Sequence, residues 1–347
     1  MQNSPIHPTV DFSLDGVQHG FLRLPHSRDD SAWGAIMIPI TVVRHGPGPT
    51  ALLTGGNHGD EYEGPVALVK LARNLKMDQV RGCVIIIPFL NYPAFVAARR
   101  TSPIDSGNLN RLFPGNPEGT VTEKIADYVQ RHLLPMADYV LDLHSGGKTL
   151  DFLPFAAIHL LDDKVQQAAC EAAMRAFGAP YSMKILELDS VGMLDTAAEH
   201  MGKVFVSTEL GGGGTATRDS IAIADAGIRR FLIHAGVCRG RKTVPPQTTL
   251  LDMPDGACYT LCEHDGLLEM VRNLGDIVQQ GELIARVYDI SRTGVPEKRY
   301  HAGRDGILAA RHFPGLIKSG DTLAVIASMA DNPQQPQESD SLKPLAP

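Results

Sequence analysis

Short apolar runs alternate with helix-like segments along this chain of 347 residues, and that order leaves few folds open. The runs at 51–54, 84–88, 139–143, 155–160 and 204–208 read as buried strands. The segments 64–75, 122–134, 165–177 and 221–235 carry helical spacing. Pro65 sits where a first helical turn accepts proline. Thr120-x-x-Glu123 is a capping box that opens the second helix. Such alternation predicts an α/β fold, with a mixed, largely parallel sheet flanked by helices. Sites in such sheets form at the carboxyl ends of strands. His58 follows the first run, His144 follows the third and Glu209 follows the fifth, so three ionisable groups fall on one predicted edge.

Composition narrows the function classes. A chain with 43% hydrophobic and 20% charged residues is an ordinary globular one. Its net charge of -7 argues against nucleic acid as a partner, since that needs a basic face. No apolar run approaches the roughly 20 residues that cross a bilayer, so no membrane partner is expected. The first residues lack the basic start and apolar core of a secretory signal. Five cysteines without Cys-x-x-Cys spacing suit a reducing cytoplasm better than a disulfide framework. Cys258, Cys262 and His264 are close in sequence, but Cys258-Tyr-Thr-Leu-Cys262 alternates like a strand, which makes the cysteines core or edge residues.

Gly56-Asn57-His58-Gly59-Asp60-Glu61 offers an imidazole and a carboxylate from one tight segment. Asp142-Leu143-His144-Ser145-Gly146 offers a second imidazole. Structural zinc sites usually take four protein ligands, whereas catalytic ones take three and leave a position to water. A lone His-x-x-Glu arises often by chance, and a histidine at a strand end is often only hydrogen-bonded. Two such histidines, each beside glycines that let the backbone turn, favour a metal centre of His58, Glu61 and His144. Zinc is the expected ion, although the same donors accommodate cobalt or manganese. Zinc with an open position polarises a carbonyl and brings the pKa of its water to about 7. Hydrolysis then needs a base. Glu209, between Thr208 and the glycines 211–214, is the candidate, because a carboxylate ending an apolar strand is costly unless used or paired. Pairing with an arginine or capping a helix is its alternative. The polar loop 99–115 is arginine-rich, and arginine can grip a carboxylate with two parallel hydrogen bonds or stabilise an oxyanion. Arg99 itself reads as a surface residue.

Composition shifts at Val244-Pro245-Pro246, which divides a catalytic part, 1–246, from a glycine-punctuated β-rich part, 247–330. The latter holds a weak repeat. Asp265-Gly266-Leu267-Leu268 leads to Gly281-Glu282-Leu283-Ile284-Ala285, and Asp305-Gly306-Ile307-Leu308 leads to Gly320-Asp321-Thr322-Leu323-Ala324. Two such halves suggest a small barrel-sandwich resembling biotinyl and lipoyl domains, without their attachment lysine. It is read as a rim of the active site or a contact in a homo-oligomer. The Pro-, Gln- and Ser-rich tail, 331–347, is expected to be disordered.

Four motifs now stand in order: Gly-x-His-Gly-x-Glu, Asn-Leu-Asn-Arg-x-Phe-Pro-Gly, Asp-Leu-His-Ser-Gly and Thr-Glu-Leu-Gly. Together, over residues 45–240, they resemble the aspartoacylase and succinylglutamate desuccinylase family, zinc amidohydrolases on a carboxypeptidase-like fold. The resemblance implies His58, Glu61 and His144 as ligands of one zinc ion and Glu209 as general base and acid. It implies Asn110 and Arg111 as the clamp on the substrate α-carboxylate. The oxyanion arginine it implies is Arg100, with Arg99 the neighbouring choice. The substrate implied is a small N-acyl amino acid, and the chain from Pro8 onward is most similar to the branch that acts on acetylated diaminobutyrate in ectoine degradation. Where aspartoacylase meets an acidic side chain with arginine, the count here falls on Glu199. That reversal predicts that Glu199, helped by Asp195, selects a cationic side chain, unless Glu199 sits on an exposed helix face. The rivals are a carboxypeptidase acting on peptides and a binding module with a vestigial metal site.

Overall fold

The computed structural model of the chain describes residues 4–241 and 244–329, so the tail at 331–347 lies outside the described residues. At the centre of one long mixed sheet, Gly82–Ile87, Thr50–Gly55, Tyr139–His144 and Val204–Glu209 run parallel, side by side. Every residue of Gly82–Ile87 is buried, and its valine and three isoleucines suit a strand covered on both faces. Antiparallel strands flank this centre: Ala35–His45 and Gly16–Pro25 on one side, Phe155–Ile158 on the other.

Neighbouring residues on these strands serve opposite cores, as the two-residue period of a strand dictates. Leu53, Ile86 and Leu141 pack with Phe177 and Phe231, from the helices Lys164–Phe177 and Arg218–His234. Leu52, Ile85 and Val140 pack on the other face with Ile125 and Leu194, from Val121–Tyr128 and Leu194–His200. The expected α/β class is therefore what forms. The helix expected over 122–134 is interrupted. Its capping box forms as read, but the α-helix ends at Tyr128 and a π-turn, Val129–Leu133, leads into the short 3-10 turn Leu134–Met136. Pro135 has no amide hydrogen to continue the ladder.

After residue 247 the chain joins the same sheet. Thr249–Asp252 pairs parallel with Tyr181–Lys184 and antiparallel with Thr322–Met329. Both halves of the repeat form antiparallel pairs, Gly266–Met270 with Leu283–Tyr288 and Gly306–His312 with Thr322–Met329. A separate four-stranded antiparallel sheet faces the long one across Ile284, Val287, Leu308 and Ile326. Cys258 and Cys262 are buried, as their alternation suggested, and the Cys262 thiol lies within hydrogen-bond reach of the His264 carbonyl and the Tyr300 hydroxyl. No helix among the described residues is long and apolar enough to cross a membrane.

Candidate active site

Strand register brings the ionisable groups together. Gly55 pairs with Leu143, and His144 pairs with Glu209. The chain then leaves the first strand through Gly56, at φ +63°. A Cβ on Gly59 would lie 2.1 Å from the Ala94 carbonyl carbon, so only glycine fits there. This tight turn carries His58 and Glu61 to the edge where His144 ends its strand.

His58 Nδ1 lies 2.7 Å from Glu61 Oε1, and His144 Nδ1 lies 3.0 Å from Glu61 Oε2. All three residues are buried, with one donor atom from each within 4.8 Å of the others. The other nitrogen of His144 is 2.7 Å from Asp142 Oδ2. Thr54 Oγ1 and Asn57 Nδ2 donate to the same carboxylate. A carboxylate behind a histidine fixes its ring and tautomer, leaving Nδ1 to face an ion. Burial resists the charge on Glu61, but the two imidazoles beside it hold its carboxyl well below the usual range. A charged carboxylate and two imidazole nitrogens, converging in a buried pocket with a backing carboxylate, fit a divalent ion of the zinc type. Among the described residues this is the one such convergence.

Glu209 lines the same cavity. Its Oε2 is buried without a hydrogen-bond partner. Burial, and then the negative charge of Glu61, push its carboxyl well above the usual range. A carboxyl raised above its usual range holds a proton more readily than an exposed one. Among the described residues Glu209 forms neither an arginine pair nor a helix cap. Arg100 also lines the cavity, with Nη1 3.7 Å from Glu61 Oε1, whereas Arg99 is not part of its wall. Asn110 is held by its carbonyl oxygen, which accepts from Asn57 Nδ2 and the Leu194 amide. Its amide Nδ2 is left to the cavity. Arg111 donates from Nη1 to the Asn110 backbone carbonyl, and its Nε stands 3.4 Å from Asp189.

Glu199 calls for a correction. It is not on an exposed helix face, being 9% exposed, and it is not part of the cavity wall either. Its carboxylate lies 3.0 Å from His159 Nδ1. Burial lowers the His159 pKa, but Glu199 and then Asp195 overcome it and bring the ring to about 9. Glu199 is thus paired with His159, on a neighbouring cavity that His159 and Glu187 also line. Asp195, one helical turn away, does line the active-site cavity, together with Glu187.

The cavity holds about 300 Å³, and Phe152, Phe155, Met183, Met193, Tyr259 and Val325 supply much of its apolar wall. Sequence reasoning missed Asp142, although its place two residues before His144 puts both on one strand face. It also missed Glu187, Asp189 and His159, which belong to no motif.

The profile of the succinylglutamate desuccinylase/aspartoacylase catalytic domain matches residues 47–235, close to the stretch spanned by the four motifs. An N-alpha-acetyl-L-2,4-diaminobutyric acid deacetylase from Halomonas elongata is 60% identical over 330 residues, covering 95% of this chain and 96% of that one. The product-bound structure of the ectoine utilization protein EutE from Ruegeria pomeroyi is 61% identical with a TM-score of 0.93, covering 95% of this chain and 100% of the other. A succinylglutamate desuccinylase structure from Silicibacter sp. TM1040 is 62% identical with a TM-score of 0.92, over the same shares.

Proposed function

The chain belongs to the succinylglutamate desuccinylase/aspartoacylase family, and we propose that it hydrolyses Nα-acetyl-L-2,4-diaminobutyrate to diaminobutyrate and acetate, in ectoine degradation, with zinc as its ion. The observation that carries this reading is the convergence of His58, Glu61 and His144 beside a partnerless Glu209 oxygen. The identity to the Halomonas elongata deacetylase supports the choice of substrate. A cavity of about 300 Å³ suits a small acyl amino acid better than a peptide.

His58, Glu61 and His144 would hold a divalent ion, which would supply Lewis acidity toward the acyl carbonyl and lower the pKa of a water in the site. The side chains do the rest. Glu209 takes the proton of the attacking water and delivers it to the leaving α-nitrogen. Arg100 faces the oxygen on which negative charge develops. Asn110 Nδ2 and the Arg111 guanidinium hold the α-carboxylate and so fix which amide is presented. Residues 1–246 carry this chemistry, and the part after 247 adds Tyr259 and Val325 to the cavity wall. The five cysteines are free, in keeping with a cytoplasmic enzyme.

The test is amine release by the zinc-loaded protein from Nα-acetyl-diaminobutyrate, Nγ-acetyl-diaminobutyrate, N-acetylaspartate and N-succinylglutamate. Selective cleavage of the first is expected. Preference for an acidic substrate would overturn the substrate assignment and leave the deacylase chemistry standing.

A further inference from the structure

Two carboxylates on the cavity wall take no part in the hydrolysis just described. Glu187 lies in the irregular segment between the strand Tyr181–Lys184 and the helix Leu194–His200, and Asp195 lies in the first turn of that helix. Among the described residues Glu187 has neither an ion-pair nor a hydrogen-bond partner. The cations nearby are committed elsewhere. Arg100 stands beside Glu61, Arg111 beside Asp189, and His159 is hydrogen-bonded to Glu199.

Asp195 is only 7% exposed, yet just one of its oxygens is satisfied. Oδ1 accepts from the Thr196 amide and hydroxyl, while Oδ2 accepts no hydrogen bond and has only His159 Nε2, at 4.0 Å. A carboxylate held largely away from water is stabilised when donors reach its oxygens. The open side of Asp195 is the cavity. Glu187 is placed by a contact from a distant part of the chain. The Tyr259 hydroxyl, from the C-terminal part, donates to the Leu186 carbonyl at 2.7 Å and so pins the segment against the cavity.

We propose that Glu187 and Asp195 form the subsite for the positively charged end of the substrate side chain, in the same cavity as Asn110 and Arg111, which take its carboxylate, and next to Asn110, whose carbonyl oxygen is held by the Leu194 amide. This rests on the substrate reading above and replaces Glu199 as the selecting residue. Two carboxylates and an arginine lining one cavity match a substrate that carries an ammonium and a carboxylate. They disfavour an acidic side chain, because like charges brought together in a confined cavity repel strongly. Glu199 then has a supporting part, since it holds His159 and keeps that ring from closing fully on Asp195.

The test compares Nα-acetyl-diaminobutyrate with Nα-acetylnorvaline, in which a methyl group replaces the side-chain ammonium. In Glu187→Gln, KM for the diaminobutyrate substrate rises about tenfold while KM for the norvaline substrate stays within about twofold, as expected for loss of one charged contact. Calorimetry of the zinc-loaded variant with free diaminobutyrate and free norvaline reports the same loss without turnover. Because Glu187 is not a core residue, the variant folds, and Asp195→Asn serves as the second variant. If both variants keep the wild-type discrimination between the two ligands, the subsite assignment is wrong while the function stands. If the wild type does not cleave Nα-acetyl-diaminobutyrate at all, the function and the subsite fall together.

Discussion

Two walls of one cavity are built in opposite ways. The wall of His58, Glu61, His144 and Glu209 hangs on adjacent parallel strands, and each side chain is fixed by register, by a glycine turn or by a backing carboxylate. The wall of Glu187 and Asp195 comes mainly from an irregular segment and the first turn of the helix after it, held at Leu186 by one hydroxyl from the C-terminal part. Chemistry requires groups held to fractions of an ångström, and strand ends supply that. Selection among substrates requires only charge in the right place, and a loop over a rigid scaffold can change without disturbing the reaction.

The largest effect separating the two walls belongs to the ligands. His58→Ala or His144→Ala should abolish stoichiometric metal, read by elemental analysis of pure protein, and turnover with it. Next comes the support behind the ligand. Asp142→Asn should weaken metal affinity by about ten- to a hundredfold in a competitive chelator titration, with KM little changed. Unaltered affinity would mean that the 2.7 Å contact to His144 has no orienting role.

A third prediction concerns the buried pair behind the selecting wall. The His159 ring, at about 9, lies above the ordinary value of 6.5. A raised folded-state value means that the folded protein binds the proton more tightly. The resulting stabilisation is full below pH 6.5 and is lost as pH rises through about 9. Stability read from urea midpoints should fall over that window by on the order of 2 kcal/mol, and His159→Gln should flatten the fall. An equal slope in the variant would contradict the pairing with Glu199.

The smallest effect lies at the loop surface. Asp189 is 66% exposed at its side chain and faces Arg111 across 3.4 Å, where the substrate carboxylate is to bind. Exposed pairs are weak, so Asp189→Asn should lower KM by only about two- to threefold. A rise in KM would show that Asp189 assists binding and does not compete with it.

The contrast also explains what was legible in the sequence. Strand ends, glycine turns and ligand spacing leave local signatures, so His58, Glu61, His144 and Glu209 stand out in the chain itself. Even Asp142 was within reach of the strand period. Arg100 could be separated from Arg99 only by the fold, because both sit in one polar loop and one of them faces the cavity. Glu199 misled because a count along the chain fixes a position on a helix but not which partner its carboxylate meets. His159, from the end of a distant strand, captured it. Glu187 sits between elements, where neither periodicity nor capping chemistry marks a residue. The barrel-like repeat was visible, but not that its strands would extend the catalytic sheet, since strand pairing over such separations depends on edges that only the folded chain presents.

The central claim is that proton transfer by Glu209 is separable from metal binding. Glu209→Gln keeps the shape of the side chain and removes its basicity. Metal content and single-substrate kinetics should be measured on the same preparation. The account predicts one metal ion per chain, as in the wild type, with kcat for Nα-acetyl-diaminobutyrate reduced at least about a hundredfold. A variant that keeps its metal and more than a few per cent of wild-type turnover would contradict it.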